Sequence, residues 1–158
     1  MRREGATQGH DARGFGMKLV NHLLETKGNE VVSIVPQATV FEAIRLMADK
    51  AIGSLLVMES GELRGIITER DYARKVILKG RSSENTIVAE IMTQDVLTTT
   101  RSETVTNCMQ VMTTRRVRHL PVVDGAQVVG LISIGDLVQA IISDQQEEIQ
   151  QLGQYISG

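Results

Sequence analysis

The sequence predicts an α/β fold made of two tandem repeats, each with the order strand, helix, strand, strand, helix. The first observation is a repeat at an offset of 65 residues, in which T-V-F-E-A-I-R-L-M from Thr39 is followed by T-V-T-N-C-M-Q-V-M from Thr104. The second is that G-I-I-T-E-R-D from Gly65 is followed at the same offset by G-L-I-S-I-G-D from Gly130. Two long copies without an insertion predict two equivalent units packed about a pseudo-twofold axis rather than an open solenoid.

The pattern divides the chain into five segments. A repeat of about 60 residues would bury only about 60% of its unfolded surface, so we expect the two copies to stabilise each other. The first 16 residues are polar and Gly-rich with no periodicity, and Met17 is a candidate start. The predicted segments are a disordered leader (1–16), a first repeat (17–80), a polar linker (81–85), a second repeat (86–143) and a C-terminal helical tail (144–158).

The first strand and helix of each repeat are indicated by composition and capping residues. A β-branched run, Val31 to Val35, ends at Pro36, and Thr39 with Glu42 three residues later forms a capping box for the helix. The helix has apolar residues at helical spacing, and the second copy repeats that face. The two faces are Val40, Ala43, Ile44 and Met47, and Val105, Cys108, Met109 and Met112. We interpret Cys108 as an inert core thiol, because the pattern places no His or Asp beside it.

Each helix is followed by two apolar runs joined by a tight turn. Ser54–Met58 and Leu63–Ile67 flank a Gly-containing turn, and Leu120–Val123 and Val128–Ser133 flank Asp124-Gly125, which favours a hairpin. A second helix then begins at Thr68 in the first copy and at Ser133 in the second. The sequence therefore predicts one hairpin and one following helix in each repeat.

Composition excludes several classes of protein. A net charge of −2 gives no electrostatic case for a nucleic acid or an anionic membrane as partner. One cysteine excludes an internal disulfide and suits a reducing cytoplasm, where we expect the protein to be located. Three His and one Cys show no metal-ligand spacing, and no nucleophile or P-loop motif is present, so we expect no catalysis and no metal. The basic run R-R-V-R-H from Arg115 lacks aromatic residues for base stacking, and Arg115 and Arg116 suit solvated or helix-capping roles.

The motif Thr68-x-x-Asp71 and its copy Ser133-x-x-Asp136 allow two interpretations. A hydroxyl residue followed three positions later by a carboxylate is a capping box. A helix start also attracts a phosphate, to which the hydroxyl can donate, while the carboxylate can accept both hydroxyls of a ribose. A carboxylate has enough lone pairs to cap and bind together, so both interpretations stay open.

From about Val20 to Val138 the chain resembles a cystathionine-β-synthase-type (CBS) domain pair, also called a Bateman module. The resemblance rests on the two repeats, on P-x-x-T-V-x-E-A from Pro36, on R-H-L-P-V-V-D from Arg118 and on G-h-h-[S/T]-x-x-D twice, where h is an apolar residue. I-I-T-E-R-D-Y-A-R-K-V, L-K-G-R-S-S and V-A-E-I-M-T are similar to a stand-alone bacterial subfamily.

The resemblance implies a non-catalytic regulatory module that binds adenine nucleotides in the cleft between its repeats, without a catalytic cofactor. AMP is the first expectation, and ATP, ADP and NAD(H) are alternatives. It implies ribose contacts from the two Asp residues, phosphate contacts from the preceding hydroxyls and from the basic start of the second strand, and adenine contacts from backbone near Val88 and Met92 for the second copy. The ligand-binding residues so predicted are Thr68, Arg70, Asp71, Val88, Met92, Arg118, His119, Ser133 and Asp136. For His119, a partly buried histidine bonded to a carbonyl is an equal alternative.

The copies differ where phosphate would bind. Arg70 corresponds to a glycine at position 135, whereas Arg118 and His119 correspond to Gly53 and Ser54. The basic residues are therefore divided between the copies, and either one or both sites are competent.

The C-terminal tail predicts a homodimer. Positions 138, 142, 145, 149, 152 and 156 alternate in steps of 4 and 3 and are apolar apart from Gln145, which is a heptad pattern. A helix lying on its own domain is the alternative. Since no effector domain is attached, we expect an unidentified effector protein. The rival function is a structural dimerisation module with empty clefts.

Overall fold

The computed structural model describes residues 18–157, with side chains up to residue 154, so the predicted leader lies outside the described residues. The mixed α/β fold with a C-terminal helix is as the sequence predicts. The helices are α1 (Val20–Lys27), α2 (Val40–Lys50), α3 (Glu69–Tyr72, continued by a π-helical turn, Ala73–Ile77), α4 (Val88–Ile91), α5 (Val105–Arg115) and α6 (Ile134–Ser157). The strands are β1 (Ser33–Ile34), β2 (Ser54–Glu59), β3 (Glu62–Thr68), β4 (His119–Asp124) and β5 (Gln127–Ser133).

The described chain forms two compact units. Unit 1 contains residues 18–29, 99–120 and 132–157, and unit 2 contains residues 30–98 and 121–131. No helix in the described part of the chain is both long and apolar enough to cross a membrane.

Unit 2 holds a three-stranded sheet in the order β1-β2-β3. β1 is parallel to β2, and β2 is antiparallel to β3 with Ser54 opposite Thr68. The turn between β2 and β3 is formed by Ser60 and Gly61, both with positive φ, which suits a tight hairpin. α2 packs its predicted face into the core of this unit, where Val40, Ala43, Met47, Leu55, Val57, Ile67, Val76, Val88 and Ile91 are buried.

The predicted capping box of α2 is confirmed. The backbone N–H of Thr39 donates to Glu42 Oε1 at 3.0 Å, and the N–H of Glu42 donates to Thr39 Oγ1 at 3.1 Å. The helix ends at Ala51 in the left-handed conformation with a φ of 57°. α5 is built in the same way, with Thr104 as N-cap and Arg116 as a left-handed C-cap, so the two helices keep the 65-residue offset at both ends.

Unit 1 is formed mainly by helices, and in it α6 contacts both α5 and α1. The buried face of α5 is Val105, Cys108 and Met112, the copy of the α2 face. Burial raises the pKa of the Cys108 thiol, as suits a core thiol. α1 is not predicted by the repeat pattern. It is joined to the start of α5 by the N–H of Val20, which donates to the Glu103 carbonyl at 2.8 Å, and by the N–H of Val105, which donates to the Lys18 carbonyl at 2.9 Å.

Two predicted details differ from the structure. The prediction of a first strand in the second repeat is wrong, because only a single bridge residue, Thr99, is found there in the described chain. The Thr99 hydroxyl is bonded to the buried thiol of Cys108 in α5 at 3.4 Å, and the Thr100 hydroxyl to Ser102 at 3.3 Å. The second helix of the second repeat and the tail form one helix, α6, so the predicted boundary after residue 143 falls inside it.

Candidate functional site

The second motif lies in unit 1, where β5 ends and α6 begins. The N–H of Ser133 donates to Asp136 Oδ2 at 2.8 Å, and the N–H of Asp136 donates to Ser133 Oγ at 3.1 Å. The N–H of Ile134 is bonded to the Arg118 carbonyl at 2.9 Å. The capping interpretation is therefore correct for this motif, and the carboxylate stays partly exposed, at 27% of its side-chain surface.

A lysine that the motif does not contain completes this site. Lys27, the last residue of α1, places its ammonium 2.6 Å from Asp136 Oδ2, and its side chain is 37% exposed. α1 ends there because Gly28 follows with a φ of 95°. An ion pair that is partly exposed stabilises the fold by about 0–1 kcal/mol, so stability alone is a weak reason for this contact.

His119 and Arg118 extend the same cluster in unit 1. His119 begins β4 and is half-buried, whereas Arg118 is exposed. Burial lowers the pKa of His119, Asp136 acts in the opposite direction, and Lys27 and Arg118 lower this pKa further. Those three charged groups are therefore close enough to His119 to affect its titration.

The first motif lies in unit 2, where β3 ends and α3 begins. Asp71 Oδ2 accepts from the N–H of Thr68 at 3.0 Å and from its Oγ1 at 3.1 Å, and the N–H of Asp71 donates to Thr68 Oγ1 at 3.0 Å. Lys75 pairs with Asp71 Oδ1 at 3.2 Å and donates to the Ile91 carbonyl at 2.9 Å. Here too the capping interpretation is correct, and Asp71 keeps 14% of its side chain exposed.

The other predicted contact residues divide as follows. Arg70 is exposed on α3. Val88 is buried, and its N–H donates to the Ala38 carbonyl at 2.8 Å. Met92 is half-buried, and its N–H donates to the Val88 carbonyl at 3.0 Å. The structure therefore places Val88 and Met92 in unit 2 with the first motif, while Ser133, Asp136, Arg118 and His119 belong to unit 1.

The segment that contains Met92 lies directly beside β3. Ile66 and Thr93 exchange two backbone hydrogen bonds, at 3.0 and 2.9 Å. Next to this pair is an open depression of about 380 Å³, lined by Pro36, Glu59, Arg64, Met92 and Gln94. Its size is within the range of small-molecule sites, of about 300–1,000 Å³. Glu59 is already paired in it, with Gln37 at 2.8 Å and with Arg64 at 3.5 Å.

The sequence pattern did not identify Lys27 and Lys75, although each contacts one of the two predicted ribose carboxylates. Lys75 corresponds to Ala140 at the 65-residue offset, and this departure was the available signal. Lys27 lies in the part of the first repeat that precedes the matching motifs, so a comparison of those motifs could not mark it. Among the described residues, no group of three or more His, Cys, Asp or Glu side chains is placed to hold a metal ion.

Comparison with known proteins identifies the family. The family model described as CBS domain matches twice, at residues 26–77 and 88–143. The mitochondrial CBS domain-containing protein CBSX3 of Arabidopsis thaliana is 39% identical over 154 residues, which cover 92% of this chain and 75% of that protein. The CBS domain-containing protein YhcV of Bacillus subtilis is 31% identical, over 77% of this chain and 86% of that protein.

Solved structures agree with this assignment. A crystal structure of a CBS domain protein is 49% identical, with a TM-score of 0.77, over 80% of this chain and 98% of that chain. A protein with CBS domains from Burkholderia ambifaria MC40-6, described as a candidate for signal transduction, is 48% identical, with a TM-score of 0.79, over 81% of this chain and 96% of that chain.

Two structures of lower sequence identity are described with a bound ligand or an oligomeric state. One is a CBS domain pair in complex with 5′-methylthioadenosine and S-adenosyl-L-methionine, 26% identical with a TM-score of 0.72, over 80% of this chain and 98% of that chain. The other is a hexameric CBS-CP12 protein from bloom-forming cyanobacteria, 27% identical with a TM-score of 0.70, over 77% of this chain and 67% of that chain. Two family matches and close structural relatives give one conclusion: this chain belongs to the CBS domain family, as a pair of CBS domains of the regulatory and signalling class.

Proposed function

We propose that this protein is a non-catalytic sensor of adenine nucleotides, with AMP as the first candidate ligand and ATP, ADP and NAD(H) as alternatives. The observation that carries the proposal is that both strand-to-helix motifs hold a partly exposed carboxylate next to a hydroxyl and an ammonium group. A related CBS domain pair is known in complex with two adenosine-containing ligands, which supports the same chemical class of ligand here.

The chemistry of each motif suits a nucleoside phosphate. A carboxylate accepts hydrogen bonds from the two hydroxyls of a ribose. These bonds replace the bonds to water that a partly buried carboxylate loses, and so they reduce the cost of its burial. The Ser or Thr hydroxyl and the lysine ammonium are donors for a phosphate oxygen. Asp71 and Asp136 therefore provide ribose recognition in this proposal, and Thr68 and Ser133 with their neighbouring cations provide phosphate recognition.

Regulation requires that the ligand favour one conformation. A nucleotide shifts a conformational equilibrium only by the difference between its affinities for the two states. Because we assign no reaction to either motif, the bound nucleotide acts through an effector protein or through assembly of the chain. The relative described as a hexameric CBS-CP12 protein is a precedent for assembly in this family.

The proposal is tested on purified, ligand-stripped protein by thermal shift with AMP, ADP, ATP, NAD, NADH, S-adenosylmethionine and GMP. A ligand at 100 times its dissociation constant stabilises the folded state by about 2.7 kcal/mol, which is readily detected. Shifts with adenine compounds, absent with GMP, would support the sensor. No shift with any compound would favour the rival function, a structural interaction module with empty clefts.

A matched pair of variants separates ligand binding from helix capping. In Asp71→Asn and Asp136→Asn the side chain keeps its shape and one oxygen that can accept the N–H of Thr68 or Ser133, while the negative charge is lost. We therefore expect each variant to lose only about 0.3–1 kcal/mol of stability, the contribution of a negative charge at a helix start. If the carboxylates bind ribose, the double variant also loses nucleotide-induced stabilisation. Unchanged nucleotide shifts in a folded double variant would show that the carboxylates serve only as caps.

We also propose that the protein is a homodimer joined through α6. The apolar stripe of this helix, Val138, Ile142, Gln145, Ile149 and Leu152, is exposed at its apolar positions, with Ile149 at 68% and Leu152 at 59%. On one side of the stripe the flanking residues Gln139, Gln146 and Gly153 are uncharged, and on the other side Glu148 is charged. Ile149→Glu should convert a dimer to a monomer in light scattering, and Glu147→Lys, off the stripe, should not. An unchanged mass for Ile149→Glu would place the contact elsewhere.

The cytoplasm remains our proposed compartment, supported by the single buried cysteine. A relative named as mitochondrial shows that the family also occurs in an organelle. Fractionation of cells that express the tagged full chain tests this proposal.

A further inference from the structure

The basic residues around the second motif come from two places in unit 1, the end of α1 and the start of β4. Lys27 ends α1 and pairs with Asp136, while His119 begins β4 close enough to Asp136, Lys27 and the preceding Arg118 for all three charges to affect it. Lys27 and Arg118 outweigh one carboxylate, so the cluster carries a net positive charge even when His119 is neutral.

The first motif is neutral by the same comparison. Its charged residues are Asp71 and Glu69 against Arg70 and Lys75. The positions equivalent to Arg118 and His119 are Gly53 and the buried Ser54. Lys27 also has no counterpart there, because α4 has 4 residues whereas α1 has 8. The additional turn of α1 is the part of the helix that brings Lys27 to Asp136.

The start of α6 offers few free backbone donors to a phosphate at the second motif. The N–H of Ile134 is bonded to the Arg118 carbonyl, and the N–H of Asp136 is bonded to Ser133 Oγ. Two of the backbone donors at the start of α6 are therefore occupied within the fold. Lys27 and Arg118 therefore supply the positive charge for a bound phosphate chain, and His119 can add a hydrogen bond.

On this basis, which rests on the proposed function, we propose that the Asp136 motif is selective for adenine nucleotides with two or three phosphates and that Lys27 is the residue that determines this selectivity. Ribose hydroxyls bound to Asp136 would displace the Lys27 ammonium, which moves on a flexible four-carbon stem to the β- or γ-phosphate. A monophosphate brings less negative charge to Lys27 and Arg118 than a di- or triphosphate does, so it gains less from this net positive cluster. The neutral Asp71 motif is not selective for a long phosphate chain.

The test uses the full chain with Asp71→Asn as background, so that only the second motif binds. Affinities for adenosine, AMP, ADP and ATP are measured by titration calorimetry in magnesium-free buffer, before and after Lys27→Met. Methionine keeps the length of the stem and removes the charge. The control is Lys18→Met, because Lys18 is also paired with a carboxylate of α6, Asp144, at 3.1 Å, but lies outside the cluster.

We expect the background protein to bind ATP and ADP at least about tenfold more tightly than AMP. Lys27→Met should weaken ATP binding about tenfold to a hundredfold, as for the loss of a bond between charged groups, and AMP binding less than threefold. Lys18→Met should leave the ratio of the two affinities unchanged. If the ratio of the ATP affinity to the AMP affinity in Lys27→Met is within about twofold of that ratio in the background, the selectivity is overturned. It is also overturned if the native chain binds these nucleotides and the Asp71→Asn background binds none. If the native chain binds no adenine compound, the proposed function itself fails.

Discussion

Gly65, the glycine of the first G-h-h-[S/T]-x-x-D motif, gives a direct test of how this region is packed. A Cβ at this position would lie 2.7 Å from the Thr93 carbonyl oxygen and 2.9 Å from Met92 Sδ. Met92 could change rotamer, but the Thr93 carbonyl belongs to the backbone. To restore an ordinary contact of 3.4 Å, Thr93 would have to move by about 0.7 Å.

The cost of Gly65→Ala follows from that movement. Thr93 is bound to Ile66 by two backbone hydrogen bonds of 3.0 and 2.9 Å, which a shift would weaken. Overpacking costs about 1–3 kcal/mol and each lost hydrogen bond about 0.5–1.5 kcal/mol. We therefore expect the free energy of unfolding to fall by about 2–4 kcal/mol, or the melting temperature by about 5–15 °C.

Urea unfolding of the purified chain, followed by circular dichroism, measures this change. Gly135→Ala is the matched control, because the nearest atom to its added Cβ is Ser133 Oγ at 3.6 Å and position 135 lies in the first turn of α6. This control should be unchanged or stabilised by up to about 1 kcal/mol. If Gly65→Ala lies within 0.5 kcal/mol of the native chain, the segment from Met92 to Gln94 does not pack against β3 as described.

Three further predictions concern single residues. Burial lowers the pKa of His119 below its usual 6.5, so on acidification the unfolded chain takes up a proton at this residue before the folded chain does. The free energy of unfolding should therefore fall as the pH drops from about 6.5 through the lowered pKa. His119→Gln should flatten this decline in urea titrations at about pH 7.5, 6 and 5. A decline as steep in the variant would exclude His119 as its source. Ala51→Gly should raise the free energy of unfolding by about 0.5–1 kcal/mol. Glycine removes the steric cost of the left-handed conformation at this position, and that gain exceeds the additional backbone entropy that glycine loses on folding. A destabilised variant would contradict this prediction. Cys108 should react with a thiol reagent only as fast as the protein unfolds, because it is 1% exposed and burial raises its pKa; reaction at the rate of a free cysteine would contradict the core role.

The sequence predicts the parts of the fold that are determined by residues close together in the chain. The α2 capping box, the apolar faces of α2 and α5 and both hairpins follow from spacing and turn residues, and all are present in the structure. The first strand of the second repeat is reduced to the bridge residue Thr99, because a strand depends on neighbouring strands that the local pattern does not specify. α1 was missed because its place depends on backbone bonds to residues about 80 positions later in the chain, such as the 2.8 Å bond to Glu103.

The same distinction between local and distant contacts applies to the site residues. The two capping boxes at Thr68 and Ser133 are local and were predictable, and so were the hydroxyl and carboxylate that each presents. Lys75 was also predictable, because it follows Asp71 by four residues and pairs with it at that helical spacing. Lys27 was not predictable from the motif, because it is brought to Asp136 by the additional turn of α1. Tertiary position, rather than local spacing, determines this second pairing.

The two lysines also imply different consequences of ligand binding. At each motif the carboxylate accepts a backbone N–H that caps the following helix, so a ribose bound there would weaken the lysine pair rather than the cap. The pair of Asp71 with Lys75 lies within α3 and its π-helical turn, and Lys75 also keeps the Ile91 carbonyl as an acceptor. The pair of Asp136 with Lys27 instead joins the start of α6 to the end of α1. Under the proposed function, the second motif is therefore the one at which a bound nucleotide would weaken a contact between two helices of its unit.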